Sequence, residues 1–259
     1  MTDESVPVDI IRVRGASEEA VTDYVVTESP IEFRIADVPI AVLMRTPGND
    51  EELGLGFALT EAIAIHPHDV SAIRAIEGDD QGDRYEIDFA EGVVVDPEQF
   101  RRNQYASSSC GVCGKASIDA VRLTARAVAS PPALESRIIF ELPKKMRPSQ
   151  ETFETTGGLH AAALFETDGT HLVTREDVGR HNAVDKAIGA MAARRWPLSD
   201  VLLMVSGRVS FEITQKAAVA GIPVICGVSA PSSLAVELAG ELGMTLIGFL
   251  RGDGYNRYA

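Results

Sequence analysis

In the second half of the chain, short continuous apolar runs alternate with helical repeats. Leu159 to Phe165 and His171 to Arg175 read as a hairpin about Asp168-Gly169. Residues 181–194 place Val184, Ala187, Ile188 and Met191 on one helical face. An apolar strand at 201–205 stops at Ser206-Gly207-Arg208, and a helix is predicted over 211–220. A strand at 224–226, a loop at 227–233, a helix near 234–242 and a last strand at 245–250 follow, ending in Arg251-Gly252-Asp253-Gly254. This β-α-β-α-β order predicts a parallel sheet covered by helices. Ligands of such sheets bind beyond the carboxyl ends of the strands. Here those ends are the loops 206–208, 227–233 and 251–254, which are rich in Gly, Ser and Arg. Glycine admits close backbone approach and helix N-termini favour anions, so a phosphate-bearing ligand is expected.

The first half has a different rhythm. Residues 21–26, 31–35 and 39–44 are β-rich, with Glu28-Ser29-Pro30 between the first two and Thr46-Pro47-Gly48 after the third. A helix is predicted from Asn49, which with Glu52 makes a capping box, and Leu55, Leu59 and Ile63 repeat along one face up to His66-Pro67-His68. Residues 84–89 alternate as a half-buried strand after an acidic turn at 78–82. Near position 105 the pattern lapses: Ser107-Ser108-Ser109-Cys110-Gly111-Val112-Cys113-Gly114 is small and polar, and predicts a mobile loop. Ile118, Val121 and Ala125 then fall at helical spacing before Ser130-Pro131-Pro132. The boundary between two domains is expected between 126 and 150. The fold class expected is α/β in two domains. Residues 1–130 form a small mixed α+β domain that ends in the cysteine loop and its following helix. Residues 131–259 form a three-layer αβα sandwich.

The chain has 259 residues with 24 Lys+Arg against 38 Asp+Glu, a net charge of −14, and 45% hydrophobic residues. So acidic a chain has no electrostatic footprint for nucleic acid. No apolar run is long enough to span a membrane, and the acidic first segment lacks the apolar stretch of a secretory signal, so a cytoplasmic protein is expected. Three cysteines make no disulfide framework. Cys226 sits in an apolar run and is expected to be a buried strand residue.

Cys110 and Cys113 form a C-x-x-C pair with four readings: half a zinc site, a thioredoxin-type redox pair, two idle surface thiols, or a pair that carries a group such as persulfide sulfur. No second set of ligands stands at zinc spacing, and the Ser- and Gly-rich flank with Lys115 close by favours the carrier. His160 is either a hydrogen-bonded core histidine or a ligand contact. Arg180 and His181 open a predicted helix, where they contact an anion or merely cap. Arg208 is the best single cation for a phosphate. Glu176-Asp177 are adjacent acids at a helix start, either dipole partners or an acid–base pair. Gly54-Leu55-Gly56 lacks the third glycine of a dinucleotide fingerprint.

Taken in order, these motifs resemble the formate dehydrogenase accessory sulfurtransferase family (FdhD type). The matching residues are Arg45-Thr46-Pro47-Gly48, Glu52-Leu53-Gly54-Leu55-Gly56-Phe57, Ser109-Cys110-Gly111-Val112-Cys113-Gly114 and Thr156-Gly157-Gly158-Leu159-His160-Ala161-Ala162. They continue through the run from Glu176 to Lys186, Ser206-Gly207-Arg208 and Gly248-Phe249-Leu250-Arg251. The resemblance implies that sulfur passes as a cysteine persulfide from a cysteine desulfurase to the molybdenum or tungsten bis(molybdopterin guanine dinucleotide) cofactor of the formate dehydrogenase catalytic subunit. It casts Cys110 as the persulfide carrier and Cys113 as its helper. It places cofactor binding on Phe249, Leu250, Arg251, Gly252, Asp253 and Gly254, beside Ser206, Gly207, Arg208, His160, Arg180 and His181. It also implies a homodimer and a C-terminal domain similar to the cytidine deaminase fold. A zinc deaminase needs H-x-E and P-C-x-x-C. Here Ala161-Ala162 follow His160 and Ser109 precedes Cys110, so no zinc is expected. A cofactor-binding chaperone without covalent transfer is the alternative. Because the cofactor is anionic and the chain acidic, Arg180, Arg208, Lys216 and Arg251 are expected to gather at the pocket.

Overall fold

The computed structural model describes residues 4–79, 82–101, 127–128 and 131–259. Strands β1 (Ser5–Arg14) and β2 (Ser17–Val26) form a two-stranded antiparallel ribbon, with Ile11 and Val13 exposed near its tip. Strands β3 (Ser29–Ile35), β4 (Val38–Arg45), β5 (Val70–Asp79) and β6 (Gly82–Phe89) make a second sheet in the order β4-β3-β6-β5. Helix α1 (Asp50–Thr60) covers this sheet, and Leu53, Ala58 and Leu59 close a core with Ile31, Phe33, Ile40 and Ile87. A short helix α2 (Glu98–Arg101) follows.

Helix α3 (Ser136–Met146) and the short helix α4 (Glu151–Thr156) precede the third sheet. That sheet contains β7 (His160–Glu166), β8 (His171–Asp177), β9 (Val201–Val205), β10 (Val224–Gly227), β11 (Thr245–Arg251) and β12 (Gly254–Arg257), in the order β12-β11-β10-β9-β7-β8. β9, β10 and β11 are parallel, as their apolar runs predict, while β7, β8 and β12 add antiparallel edges. Helices α5 (Arg180–Ala192), α6 (Phe211–Ala220) and α7 (Ser233–Glu241) cover one face. On the other face α3 lays Ile139, Leu142 and Met146 against Phe165, Met204, Cys226 and Ile247. The chain is therefore a mixed α/β structure with helices on both faces of its largest sheet.

Residues 136–146, expected as part of a boundary, form α3 instead. Its buried positions have clean helical spacing, but Pro143 inside the helix and the prolines before it hide the pattern. Asn49 does not cap α1. It adopts a left-handed backbone (φ 56°) with no side-chain bond to the helix, and Glu52 instead reaches Arg175 on β8 at 2.7 Å. No helix is long and apolar enough to cross a membrane among the described residues.

Two sheets lie back to back through the contact of α1 with α5. A Cβ on Gly56 would stand 1.9 Å from the Asp185 carbonyl oxygen, and one on Gly189 would stand 1.9 Å from that of Glu52. Of the two glycines of α1, Gly56 thus serves the helix contact, whereas Gly54 makes room for Phe33 and Ile73 of the four-stranded sheet. Around this crossing the polar groups pair. Lys216 of α6 meets Asp185 at 2.8 Å, Glu61 at 3.0 Å and the Thr60 hydroxyl at 2.9 Å. Burial alone pulls its ammonium down, but the two carboxylates outweigh that and hold it above the usual lysine range. Arg45, fully buried, is gripped by Asp50, Asp83 and Ser29.

Two outcomes check this arrangement. Gly189→Ala drives a methyl into a backbone carbonyl that cannot move aside, and chemical denaturation is expected to show a loss of about 3 kcal/mol or more. Lys216→Met strands two carboxylates at the helix contact, with an expected loss of about 3–5 kcal/mol by the same measurement.

Candidate functional site

The loops that follow β9, β10 and β11 meet the start of β7 and the start of α5. His160 opens β7, and because β7 runs antiparallel to β9 its first residue lies beside the end of that strand. The Ser206 hydroxyl accepts the Ala161 N–H at 2.9 Å, and the Ser206 N–H donates to the Ala161 carbonyl at 2.9 Å. These bonds fix the turn that presents Gly207 and Arg208. A Cβ on Gly207 would come within 3.3 Å of His160 Nδ1, so the absence of a side chain leaves room for the imidazole. Val209 bridges to Pro231, which ties the second strand-end loop to the first.

His160 is half-buried. Burial first, then the positive charges of Arg180 and Arg208, hold its pKa below the usual histidine value, so the ring is neutral at pH 7. His181 lies near Ser210, whose hydroxyl is 3.3 Å from its Nε2, with Glu212 at 3.8 Å. Burial, aided by Lys216 and Arg180, pushes it down to about 4. Arg251 is exposed and its Nε donates to the Val228 carbonyl at 3.2 Å, which brings its guanidinium to the β10 loop. Among the described residues, no carboxylate forms an ion pair with Arg180, Arg208 or Arg251, whereas Arg45, Arg175, Lys186 and Lys216 are all paired. Arg180 and Arg208 near His160, and Arg251 at the β10 loop, are three guanidinium groups without a carboxylate partner in a chain of net charge −14, and they suit a polyanion.

Lys216 departs from the expected set, because its charge is spent within the helix contact. Phe249 is exposed with a positive φ of 53°, Gly252 also has positive φ, and the β11–β12 pairing shifts register between Gly248 and Arg251. This irregularity turns Phe249 outward, with its N–H held by the Ser229 carbonyl at 3.1 Å. Leu250 is 1% exposed and packs in the core beneath the sheet, so its side chain faces no ligand. Gly252, Asp253 and Gly254 form the exposed turn into β12. Glu176 and Asp177 are not an acid–base pair. Glu176 accepts the Thr152 and Phe153 N–H groups at the start of α4. Asp177 is fully buried and accepts from Lys186, Asn182, Gly179 and Thr46. Cys110 and Cys113 lie outside the described residues. Cys226 is fully buried in β10, and burial pushes its thiol up to about 12, which keeps it protonated and unreactive.

Beside His160 and Ser206 lies a cavity of about 760 Å³. Lys144, Arg147, Gln150 and Phe153 line its far side. Sequence reading assigned none of them to the site. The basic run Lys144-Lys145-Met146-Arg147 was the available signal, and its pairing with a strand end 60 residues on is set only by the fold.

Comparison with known proteins places this geometry. The FdhD/NarQ family model matches residues 26–259. The sulfur carrier protein FdhD of Streptomyces coelicolor is 47% identical over 259 residues, covering 96% of this chain and 92% of that protein. That of Mycolicibacterium paratuberculosis is 50% identical over 241 residues, covering 90% and 89%. That of the archaeon Sulfurisphaera tokodaii is 44% identical over 256 residues, covering 97% and 95%. A solved structure from Desulfotalea psychrophila, assigned as a formate dehydrogenase accessory protein, shares the fold with a TM-score of 0.76 at 24% identity, covering 98% of this chain and 96% of that one. By its family model and by identity to these relatives over nearly all of its length, the chain belongs to the FdhD/NarQ family.

Proposed function

We propose that this chain is a sulfurtransferase that carries sulfur as a persulfide on Cys110 from a cysteine desulfurase to the molybdenum or tungsten bis(molybdopterin guanine dinucleotide) cofactor of formate dehydrogenase. The observation that carries the reading is the convergence of unpaired Arg180, Arg208 and Arg251 with neutral His160 at the strand ends. The names of the relatives as sulfur carriers support it. The cofactor is substrate here, and its diphosphate groups match a cleft rich in donors. Ser206, Gly207 and the turn from Phe249 to Gly254 frame the same cleft.

The chemistry needs both cysteines. The Cys110 thiolate attacks the terminal sulfur of the donor's persulfide. The donor's S–S bond breaks, the donor leaves as a thiolate, and Cys110 holds the sulfur as a persulfide. The Cys113 thiolate then attacks the Cys110 Sγ, forming the Cys110–Cys113 disulfide and expelling hydrosulfide toward the bound metal centre. A dithiol reductant restores both thiols. No resident zinc takes part. We read the protein as a cytoplasmic homodimer of two domains, 1–130 and 131–259, the second of cytidine deaminase type. The exposed apolar residues of the β1–β2 ribbon suit such an assembly. A cofactor chaperone without sulfur transfer would use the same cleft and dispense with Cys110.

Intact-protein mass spectrometry after incubation with a cysteine desulfurase and cysteine separates the two. Wild type is expected to gain about 32 Da per sulfur, reversibly by reductant, Cys110→Ala to gain none, and Cys113→Ala to retain the sulfur longer. A wild type that gains nothing leaves the chaperone. Arg208→Gln is expected to weaken GDP binding by about tenfold to a hundredfold in titration calorimetry, as loss of a charged hydrogen bond implies, and to reduce its salt dependence. Unchanged affinity removes this cleft as the phosphate site.

A further inference from the structure

Thr46 is buried just past the end of β4, and the start of α5 engages all three of its polar groups. Its N–H donates to Asp177 Oδ2 at 3.2 Å, and its carbonyl accepts from Lys186 Nζ at 2.8 Å. Its hydroxyl oxygen accepts the Val178 N–H at 3.2 Å, from a residue 132 positions away in the chain. Two residues earlier, the Met44 carbonyl accepts from the Asn182 amide at 2.8 Å. Arg45, between them, is held by Asp50, Asp83 and Ser29, so this stretch is fixed to the four-stranded sheet. Of these bonds to the start of α5, the one from Val178 alone reaches the backbone of the turn, and the others reach side chains. The turn itself is tight. Asp177 accepts the Gly179 N–H at 2.7 Å, and a Cβ on Gly179 would stand 2.8 Å from Asn182 Nδ2. Arg180 comes next, as the first residue of α5. Its Nε donates to His181 Nε2 at 3.5 Å, and no carboxylate pairs with it among the described residues. The backbone that carries it therefore sets its place.

We infer that Thr46 is a positioning residue of the anion site: through the Val178 N–H its hydroxyl fixes the turn that aims Arg180, and it acts on the ligand through that arginine. The inference rests on the reading of Arg180 as a phosphate contact, and it extends the site to a residue of the four-stranded half of the chain. Thr46→Val isolates the effect. Valine keeps the shape of the side chain and both main-chain bonds of residue 46, and it removes the acceptor. The half-buried Val178 N–H is then left without a partner, and the turn relaxes to find one. Thr46→Ser restores the acceptor.

A double-mutant cycle with GDP as the probe, by titration calorimetry on the intact protein, tests it. Thr46→Val is expected to weaken GDP by about threefold to tenfold, and Thr46→Ser to bind it as wild type does. Arg180→Gln is expected to weaken GDP further. The double variant Thr46→Val/Arg180→Gln is expected to bind no more weakly than Arg180→Gln alone, because the group through which Thr46 acts is gone. NMR titration of His160 gives a second readout. Burial, then the charges of Arg180 and Arg208, hold its pKa down, so a displaced Arg180 lets it rise. Thr46→Val is expected to raise this pKa in the wild-type background and to leave it unchanged in the Arg180→Gln background. A general loosening that lets water reach the ring raises it in both. Additive losses of affinity, a pKa that rises in both backgrounds, or a Thr46→Val protein that binds GDP as wild type does would overturn the inference and leave Arg180 as a phosphate contact. If Arg180→Gln binds GDP with wild-type affinity, or wild type binds none, that reading falls and the inference with it.

Discussion

The contact of α1 with α5 sets the rest of the structure. Gly56 and Gly189 let two backbones approach to a distance no side chain permits, and this brings the four-stranded sheet against the helical face of the six-stranded one. So close a crossing buries polar groups from both halves, and each must find a partner there. Lys216, Asp185, Glu61 and Thr60 satisfy one another, and Asp177 gathers donors from Thr46, Gly179, Asn182 and Lys186. The Asp177 cluster anchors the turn from which Arg180 and His181 emerge. A packing constraint in the centre of the molecule thereby fixes one wall of the cleft.

The same economy of charge explains how an acidic chain presents a cationic site. Buried cations are neutralised at the helix contact, and exposed arginines such as Arg12 and Arg74 pair along their own sheets. Arg180, Arg208 and Arg251 stand at strand ends whose loops are built from glycine and serine, with no carboxylate paired to them among the described residues. Burial first, then Arg180 and Arg208, lower the basicity of His160, so a neutral hydrogen-bonding ring stands beside fixed positive charges.

Much of this was legible in the sequence where burial is complete. β9, β10, β11 and α6 follow the apolar runs almost residue for residue, because strands buried on both faces leave continuous apolar stretches bounded by glycine. The ribbon and β5 are largely exposed and mix charges with apolar residues, so their period is faint. Asn49 and Glu52 carry the letters of a capping box, but the left-handed turn and Arg175 claim them otherwise. Lys216 reads as a site cation and Glu176-Asp177 as an acid pair until their partners, distant in sequence, are known. Gln150 carries no local signal, since only the fold sets it beside His160.

The central claim couples a sulfur held at Cys110 to an anion held at the strand ends. The most direct measurement loads the protein with radioactive sulfur from a cysteine desulfurase. It then follows the label after mixing with formate dehydrogenase whose cofactor lacks sulfur, for wild type and for Arg208→Gln. The account predicts that the label leaves wild type for the cofactor and stays on Arg208→Gln. Equal transfer from both, or label that never leaves wild type, would contradict it.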